Sequence, residues 1–498
     1  METQIPYSIF FFTFLFLFMI HKLSSSKKSQ KTLPPGPWKL PLIGSLHQIG
    51  SLPHRSLRDL ANKYGPLMHL QLGQISHFVV SSPEIAKEVM KSHDIIFANR
   101  PTSFASETLA YNSTDIAFSP HGNYWRQLRK ICTLELLSLR RVQTFRRIRE
   151  EEVCAFVKHI SEHELGSVVN LTNKIYPLTN SIVARAAFGR KTRNIEEIIP
   201  VIMTGIQITG GLSISDLCPS LEFLRVISGA KAKAERVHKD IDVMLNTIIN
   251  DHLVEKKGED IAEAEEDLVD VLLRVQKEND LEIPLTLDNI KAVILDMFVG
   301  GTETAATTTG WAMAEMVKNP EVMKKAQEEV RRVYGNKGYV DESELHQLKY
   351  VTAVLRETLR LHPPVVLLLP RQNSEICQIN GYEIPLKSTV IINAWAIGRH
   401  PQYWNEPEKF QPERFINRSV DFKGTNFEFI PFGAGRRICP GMSFATPVLE
   451  LIAANLLYHF DWKLPNGEKH EDLDMTEIFG AAIRRKNDLC LIPTAYRP

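Results

Sequence analysis

Residues 431–441, PFGAGRRICPG, set one thiol, Cys439, among three glycines (Gly433, Gly435, Gly441) and two arginines (Arg436, Arg437). Glycines permit unusual backbone angles and close approach to a ligand. Positive charge favours thiolate or holds an anion. An apolar helical run follows from Met442, so the thiol stands just ahead of a helix N-terminus, where free N–H groups and the macrodipole stabilise a negative sulfur. A bound metal would remove the proton outright. No second cysteine or histidine stands at zinc spacing. What remains is a single axial thiolate on a metal already held by another ligand set. Haem fits, and its carboxylates would take the arginines. The other cysteines, Cys132, Cys154, Cys218, Cys377 and Cys490, read as small buried hydrophobes, since none forms a C-x-x-C pair.

A second unusual stretch is GGTETAATTTG, residues 300–310, inside the longest helical pattern of the chain. Gly300 and Gly301 each cost about 1 kcal/mol against alanine in a helix interior. Hydroxyls and a carboxylate follow at mid-helix. One explanation is close approach of a neighbouring backbone. The other is a flat surface for a planar ligand with polar groups beside it.

With these residues in place the chain resembles the cytochrome P-450 proteins. Phe432, Gly435, Arg437, Cys439 and Gly441 match the F-x-x-G-x-R-x-C-x-G haem-ligand signature. Trp125 and Arg129, in WRQLR, resemble the pair that binds a haem carboxylate. Gly300, Gly301, Glu303 and Thr304 resemble the oxygen-binding groove. Glu357 and Arg360, in ETLR, match E-x-x-R, and Arg414, in FQPERF, completes the Glu–Arg–Arg triad. His362 and Arg371 resemble two further haem-carboxylate donors. The membrane leader and the PPGP segment look like the microsomal members, and DFKGTNFEFIPFGAGRRICPG most resembles plant enzymes of specialised metabolism. One departure is Ala305 after Thr304, where the family usually has Ser or Thr.

Physical reasons stand beside these matches. Glu357 and Arg360, three apart, share a helix face. On a surface such a pair contributes under about 1 kcal/mol; buried with Arg414, it would lock the helix to the loop approaching Cys439. Trp125 alone would be a core aromatic, but with Arg129 one turn on, both N–H groups can aim at one carboxylate. A Thr304 hydroxyl can relay protons to bound dioxygen and Glu303 can feed them from bulk. The plainer alternative is a solvated Glu303 and a Thr304 bonded to its own i−4 carbonyl.

The elements that must position these groups are mostly helices. Apolar spacing of i, i+3, i+4 predicts helices over 54–64, 83–92, 123–137, 140–163, 231–256 and 320–334. The longest runs from Thr286 to Asn319, at about 1.5 Å per residue roughly 45 Å, enough to cross a domain. Strand-like runs are few, at 67–73, 77–82, 389–396 and 489–494. Residues 255–267 read as a charged loop. The expected fold is mainly α: a helix-rich body, minor β-sheets, and haem between the long helix and the Cys439 loop.

Residues 5–20 are almost wholly apolar, and Lys22, Lys27, Lys28 and Lys31 follow. Charge after the apolar run and no Ala-x-Ala site favour an anchor over a cleaved signal peptide. The expected organisation is a transmembrane anchor at 1–21, a basic and proline-rich hinge at 22–44, and a catalytic domain at 45–498. The basic side faces the cytosol, on the endoplasmic reticulum membrane, so the sequons at Asn112, Asn170 and Asn417 stay unmodified. With 59 basic against 58 acidic residues there is no field to attract nucleic acid.

No dinucleotide or flavin fingerprint is present, so electrons must come from outside. The resemblance implies a haem-thiolate monooxygenase with haem b, O2 and an NADPH–cytochrome P-450 reductase, acting on a lipophilic small molecule. An oxygen-independent isomerase or dehydratase of the same fold, and a non-catalytic haem sensor, are the rival readings. The resemblance also places the substrate pocket at largely apolar stretches that include Phe104, Ile206, Met297, Val365, Val366, Ile478 and Phe479. Ser103, Thr209 and Thr302 are the few polar candidates. A neutral, hydrocarbon-rich substrate follows, a sesquiterpene or diterpene first and a neutral alkaloid second.

Overall fold

In a computed structural model of the chain, the described residues are 33–189, 200–202, 204–206, 208, 214–255, 266–278, 280–416 and 419–496. The leader at 1–21, the basic part of the hinge to residue 32, the charged loop at 256–265, Thr209 and Asn417 lie outside them. Among the described residues no helix is long and apolar enough to cross a membrane.

Helices dominate, as the apolar spacing predicts. The longest is one unbroken segment of 32 residues, Leu287–Lys318. Thr286 caps it: its hydroxyl accepts from Asn289 N–H and the Asn289 side chain returns a bond to Thr286 N–H. It ends at Asn319, ahead of Pro320. It packs along the Leu171–Phe188 and Met442–His459 helices and forms the spine of the main apolar core with them. The Leu171–Phe188 helix escapes pattern reading because Pro177 lies inside it. Interior proline costs about 3 kcal/mol. Burial of Ile175, Leu178, Ile182 and Val183 offsets it, and Asn170 caps the start by accepting from Asn173 N–H.

Two predicted helices close in wider turns. Pro83–Lys87 continues as a π-type turn at Glu88–Ser92, and Asn123–Ile131 as one at Cys132–Leu136. The 140–163 pattern divides at Phe145 into Leu139–Thr144 and Arg146–His163.

The main sheet has four strands: β1 (Leu67–Leu72), β2 (Ile75–Val80), β3 (Arg371–Gln372) and β4 (Thr389–Ile392), in the order β1-β2-β4-β3. β1 and β2 form a hairpin, β4 runs parallel to β2 with Val390 opposite Phe78, and β3 is antiparallel to β4. The expected strand 389–396 stops at Ile392, because the Asn393 side chain accepts from Ala396 N–H and opens a helical turn at Ala394–Ile397. The described end of the hinge covers the outer edge of β1. His69 N–H donates to Pro35 O at 2.9 Å and Ser45 N–H to Gln71 O at 2.6 Å. A Cβ on Gly36 would lie 1.9 Å from His69 O, so only glycine lets the chains approach.

A second apolar cluster, with Phe78, Met90, Phe97, Ile430 and Ala434, lies behind this sheet. The Cys439 loop spans from that cluster to the helical core, which takes Phe444 and Val448 of the next helix.

Candidate functional site

The Cys439 loop closes on itself. Cys439 N–H donates to Phe432 O at 2.9 Å, Gly433 N–H to Ile430 O at 3.0 Å, and Ile438 N–H to Gly435 O at 3.0 Å. Phe432 fixes its end by packing edge-on against Phe422. Gly435 has φ +70, and a Cβ there would lie 2.2 Å from Met90 O. No other residue fits that turn. Past it the Met442–His459 helix begins, and the N–H groups of Gly441 and Met442 bond to the Cys439 sulfur. Burial raises the thiol pKa, while those N–H groups and the nearby Arg129 oppose the rise. The residue keeps some open surface.

Beside the thiol lies a cluster of enclosed cations. Arg437 is buried and sits over the Trp125 ring at 4.1 Å. It donates to Ala98 O, Ile116 O and Ser119 O. Arg371, also buried, donates to Ala434 O at 2.8 Å and lies 3.3 Å from Asp94. Trp125 Nε1–H donates to Ile116 O at 3.1 Å. The Arg129 guanidinium forms no hydrogen bond among the described residues. Arg100, which no motif singles out, donates to Ala117 O, Leu369 O and Pro370 O. Burial, then the charges of Arg371 and Arg129, push Arg437 down to about 9. Arg100 is lowered by burial and then by Arg437 and Arg371. Among the described residues the carboxylates acting on these four guanidiniums are Asp94 and Asp115, so the cluster is short of negative charge. The two carboxylates of haem would supply it, with the Cys439 sulfur placed for the iron.

The long helix is open at Gly300, where an added Cβ would meet nothing within 4 Å. Thr304, one turn on, donates its hydroxyl to Gly300 O at 2.7 Å. Glu303 is buried, and desolvation raises its pKa against the opposing charge of Arg484. Gly301 points elsewhere. A Cβ there would lie 3.0 Å from Val183, so Gly301 is needed for packing against the Leu171–Phe188 helix, and the open glycine is Gly300.

The Glu–Arg–Arg triad is assembled below the loop. Glu357 accepts from Arg360 at 2.7 and 2.8 Å, from Arg414 Nε at 3.0 Å and from Gln411 N–H at 2.8 Å. The Glu357 and Arg360 side chains are both 0 % exposed.

The family model for cytochrome P450 matches residues 34–491. The chain belongs to the cytochrome P450 family. It is 53 % identical to tabersonine 16-hydroxylase 2 of Catharanthus roseus, covering 98 % of both chains. It is 50 % identical to premnaspirodiene oxygenase of Hyoscyamus muticus, covering 99 % of this chain and 98 % of that one. Among solved structures, a zebra fish cytochrome P450 with progesterone superposes with a TM-score of 0.76 at 24 % identity, over 89 % of this chain and 99 % of that one. That likeness is one of fold. P450 enzymes are oxidoreductases that hold haem iron through a cysteine thiolate.

Other expected site residues of this P450 fall outside the cluster. His362 does not join the arginines. Its Nε2 lies 2.7 Å from Glu315 and its ring stacks on Trp311 at 4.0 Å. Both partners are on the long helix, so through Nε2 and its ring face His362 fastens the Lys349–Leu361 helix to it, while Nδ1 is buried with no partner among the described residues. Val366 is buried against Trp395 and Ile483, with Phe479 packed on the same cluster; Val365 is half-buried. Ile206 is buried in the main core and Met297 is half-buried against it. Ile478 is exposed. Phe104 lines an outer cavity of about 510 Å³ together with charged side chains, among them Arg225, Lys231 and Glu235. Arg225 sits over the Phe104 ring at 5.0 Å, a cation the sequence did not place there. Its charge is taken up by Asp216 and Glu222. Ser103 is used as a helix cap, while the Thr302 hydroxyl is buried without a partner among the described residues.

Proposed function

We propose that this P450 is a monooxygenase. It inserts one atom of O2 into a neutral, hydrocarbon-rich small molecule, with electrons from an NADPH–cytochrome P-450 reductase. The observation that carries the reading is buried Glu303 beside Thr304 on the turn that Gly300 leaves open. An isomerase or dehydratase needs no such proton path.

Cys439 would supply the thiolate, and Arg371, Arg437 and Arg129 would take the haem carboxylates; Trp125, expected to join them, has its one N–H held by Ile116 O and instead backs Arg437 with its ring. When bound, haem supplies the iron at which dioxygen is activated. The protein's part is to move protons. Because burial raises its pKa, Glu303 retains a proton to higher pH than an exposed carboxyl. Thr304 donates its hydroxyl proton to its own i−4 carbonyl, Gly300 O, as the plainer alternative has it; to act as a relay it must exchange that bond for a water. Arg436, half-exposed and 3.6 Å from Asp94, lies on the face where a reductase would dock.

The substrate reading rests on charge. Arg225 is matched by carboxylates, and the arginines near Cys439 are matched by haem. Burying an unpaired carboxylate would cost several kcal/mol, whereas each buried CH2 contributes about 0.8 kcal/mol. A terpene skeleton is the first candidate, in line with the premnaspirodiene relative. An alkaloid is the second, in line with the tabersonine relative of similar identity. With reductase and NADPH, a terpene hydrocarbon and its alcohol should be oxidised with kcat/KM at least about tenfold above the matching acid, a difference of about 1.4 kcal/mol. Preference for the acid would overturn the reading. In the same assay Thr304→Ala should bind haem and substrate but divert NADPH into peroxide. Unchanged coupling would remove Thr304 from the mechanism.

Residues 1–21 serve as a single-pass anchor in the endoplasmic reticulum membrane, with the body in the cytosol. Deleting residues 1–21 should release protein from membranes with its haem spectrum intact. Glycosylation at Asn112, Asn170 or Asn417 in cells would reverse the topology.

A further inference from the structure

Two aspartates meet between the long helix and the loop that carries the arginine partners. Asp296 stands on the long helix one turn before Gly300, on the same face as Gly300 and Thr304. Its Oδ2 accepts from Ile116 N–H at 2.8 Å and from Ala117 N–H at 3.1 Å. Asp115 is buried, and its Oδ1 accepts from Phe118 N–H at 2.9 Å. Asp115 Oδ2 is buried with no donor among the described residues. The Asp296 carboxyl lies within hydrogen-bonding reach of Asp115. Two carboxylates at that range repel unless one proton lies between them.

The other side of the same peptides faces the haem-carboxylate donors. Ile116 O accepts from Trp125 Nε1 at 3.1 Å and Arg437 Nη1 at 3.2 Å. Ala117 O accepts from Arg100 Nε at 2.9 Å, and Ser119 O from Arg437. So the N–H groups of 116–118 are held by the aspartate pair, and carbonyls of 116–119 hold the cations.

We propose that Asp296 is a positioning residue for haem: sharing one proton with Asp115, it fixes residues 116–119 so that their carbonyls present Arg437 and Arg100 to the haem carboxylates and hold the Trp125 ring against Arg437. The proposal rests on the haem reading of the Cys439 site and adds a residue outside that site's signature. It also leaves the Asp296 carboxyl, on the open face of the long helix, neutral and already bonded.

Titration is consistent with the geometry. Burial raises Asp115 to about 6 and raises Asp296 well above the ordinary carboxylate range, the latter also through the Asp115 charge; backbone N–H groups oppose both rises. Arg100 pulls Asp115 down, and Tyr124 and Cys132 face the pair from the Asn123–Ile131 helix and its closing turn. Both folded-state values exceed that of an unfolded aspartate. The stabilisation is therefore complete below about pH 4 and is lost as pH rises through the folded-state values.

The test is haem retention, measured as transfer of haem from the purified holoprotein to excess apomyoglobin, with no turnover involved. Asp296→Ala leaves two N–H groups without acceptors and Asp115 alone, so haem loss should accelerate about tenfold or more. Asp296→Asn keeps an oxygen for both N–H groups and offers its own N–H to Asp115. Its loss rate at neutral pH should stay within about twofold of the wild type. As pH rises above about 6 the wild-type rate should climb while the Asp296→Asn rate stays flatter. Retention by Asp296→Ala equal to the wild type, loss by Asp296→Asn as fast as by Asp296→Ala, or identical pH profiles for Asp296→Asn and wild type would each overturn the proposal. If Asp296→Ala does not fold, the pH comparison decides alone. A wild-type protein with no haem spectrum would instead sink the cofactor reading.

Discussion

Replacing Cys439 with alanine is expected to abolish the red-shifted Soret band of the reduced CO complex and to bring turnover to background. The change is local. Alanine keeps the Cys439 N–H bond to Phe432 O, the turn at Gly435 and the start of the Met442–His459 helix, because all three are made by backbone. What disappears is the sulfur to which the N–H groups of Gly441 and Met442 are bonded. No other thiol can take its place. Cys132 is 0 % exposed in the helical core, and burial raises its pKa strongly. Cys154, expected to be a buried hydrophobe, is exposed on the Arg146–His163 helix; Cys377 and Cys490, also expected to be buried, are only partly so, on strands; and Cys218 is buried in a separate apolar cluster with Leu57 and Leu217. Without an axial thiolate the iron loses the ligand that pushes electron density towards bound dioxygen. Cys439→Ser, nearly the same in shape, should fail in the same spectrum and so separate ligation from packing. A Cys439→Ala protein that keeps the band would mean that another residue ligates the iron.

The groups legible in the sequence are those whose partners lie close along the chain or are made by backbone. The Cys439 loop is one: its glycines, thiol and following helix sit within a dozen residues. The E-x-x-R pair is another, since helix geometry alone sets Glu357 beside Arg360. Sequence spacing could not show which neighbour each side chain would meet across the fold. Gly301 and Gly300 look equivalent in a string of letters, but Val183 stands against one and open space against the other. His362 lies in a stretch that resembles a haem contact, yet Glu315 on another helix claims it. Arg100 and Asp296 carry no motif. Arg100 matters because three carbonyls converge on it, and Asp296 because Ile116 and Ala117 fold back over it. The Leu171–Phe188 helix was hidden for the opposite reason, a local signal, Pro177, that tertiary burial overrides. The substrate wall was the least legible part, since its residues come from five separate stretches and apolar side chains there can as well enter the core, as Val366 does.

The second large effect is expected at Glu357. Glu357→Ala should prevent accumulation of folded, haem-loaded protein, although the residue lies away from the haem-carboxylate arginines. The side chain accepts four hydrogen bonds: two from Arg360, one from Arg414 and one from Gln411 N–H. Alanine would leave the Arg360 guanidinium, 0 % exposed, without its counter-charge. Breaking a buried pair from one side costs about 3–5 kcal/mol, a large part of the 5–15 kcal/mol that is typical of whole domains. The loss would propagate because both arginines fasten the segment that leads to the thiol. Arg360 donates to Gly398 O, Pro407 O and Lys409 O, and Arg414 to Asn405 O, Glu406 O and Lys409 O. With Glu357 gone, neither guanidinium is aimed, and the 398–414 segment loses the frame that holds it against the Lys349–Leu361 helix. Glu357→Gln keeps an oxygen for Arg360 but not the charge, so it should fall between alanine and wild type. The ratio of Soret to protein absorbance in purified fractions, together with the thermal midpoint, reads the effect. A Glu357→Ala protein with wild-type haem content and midpoint would show that the backbone of 398–414 holds itself, and that the triad is an ornament of the fold and not its fastening.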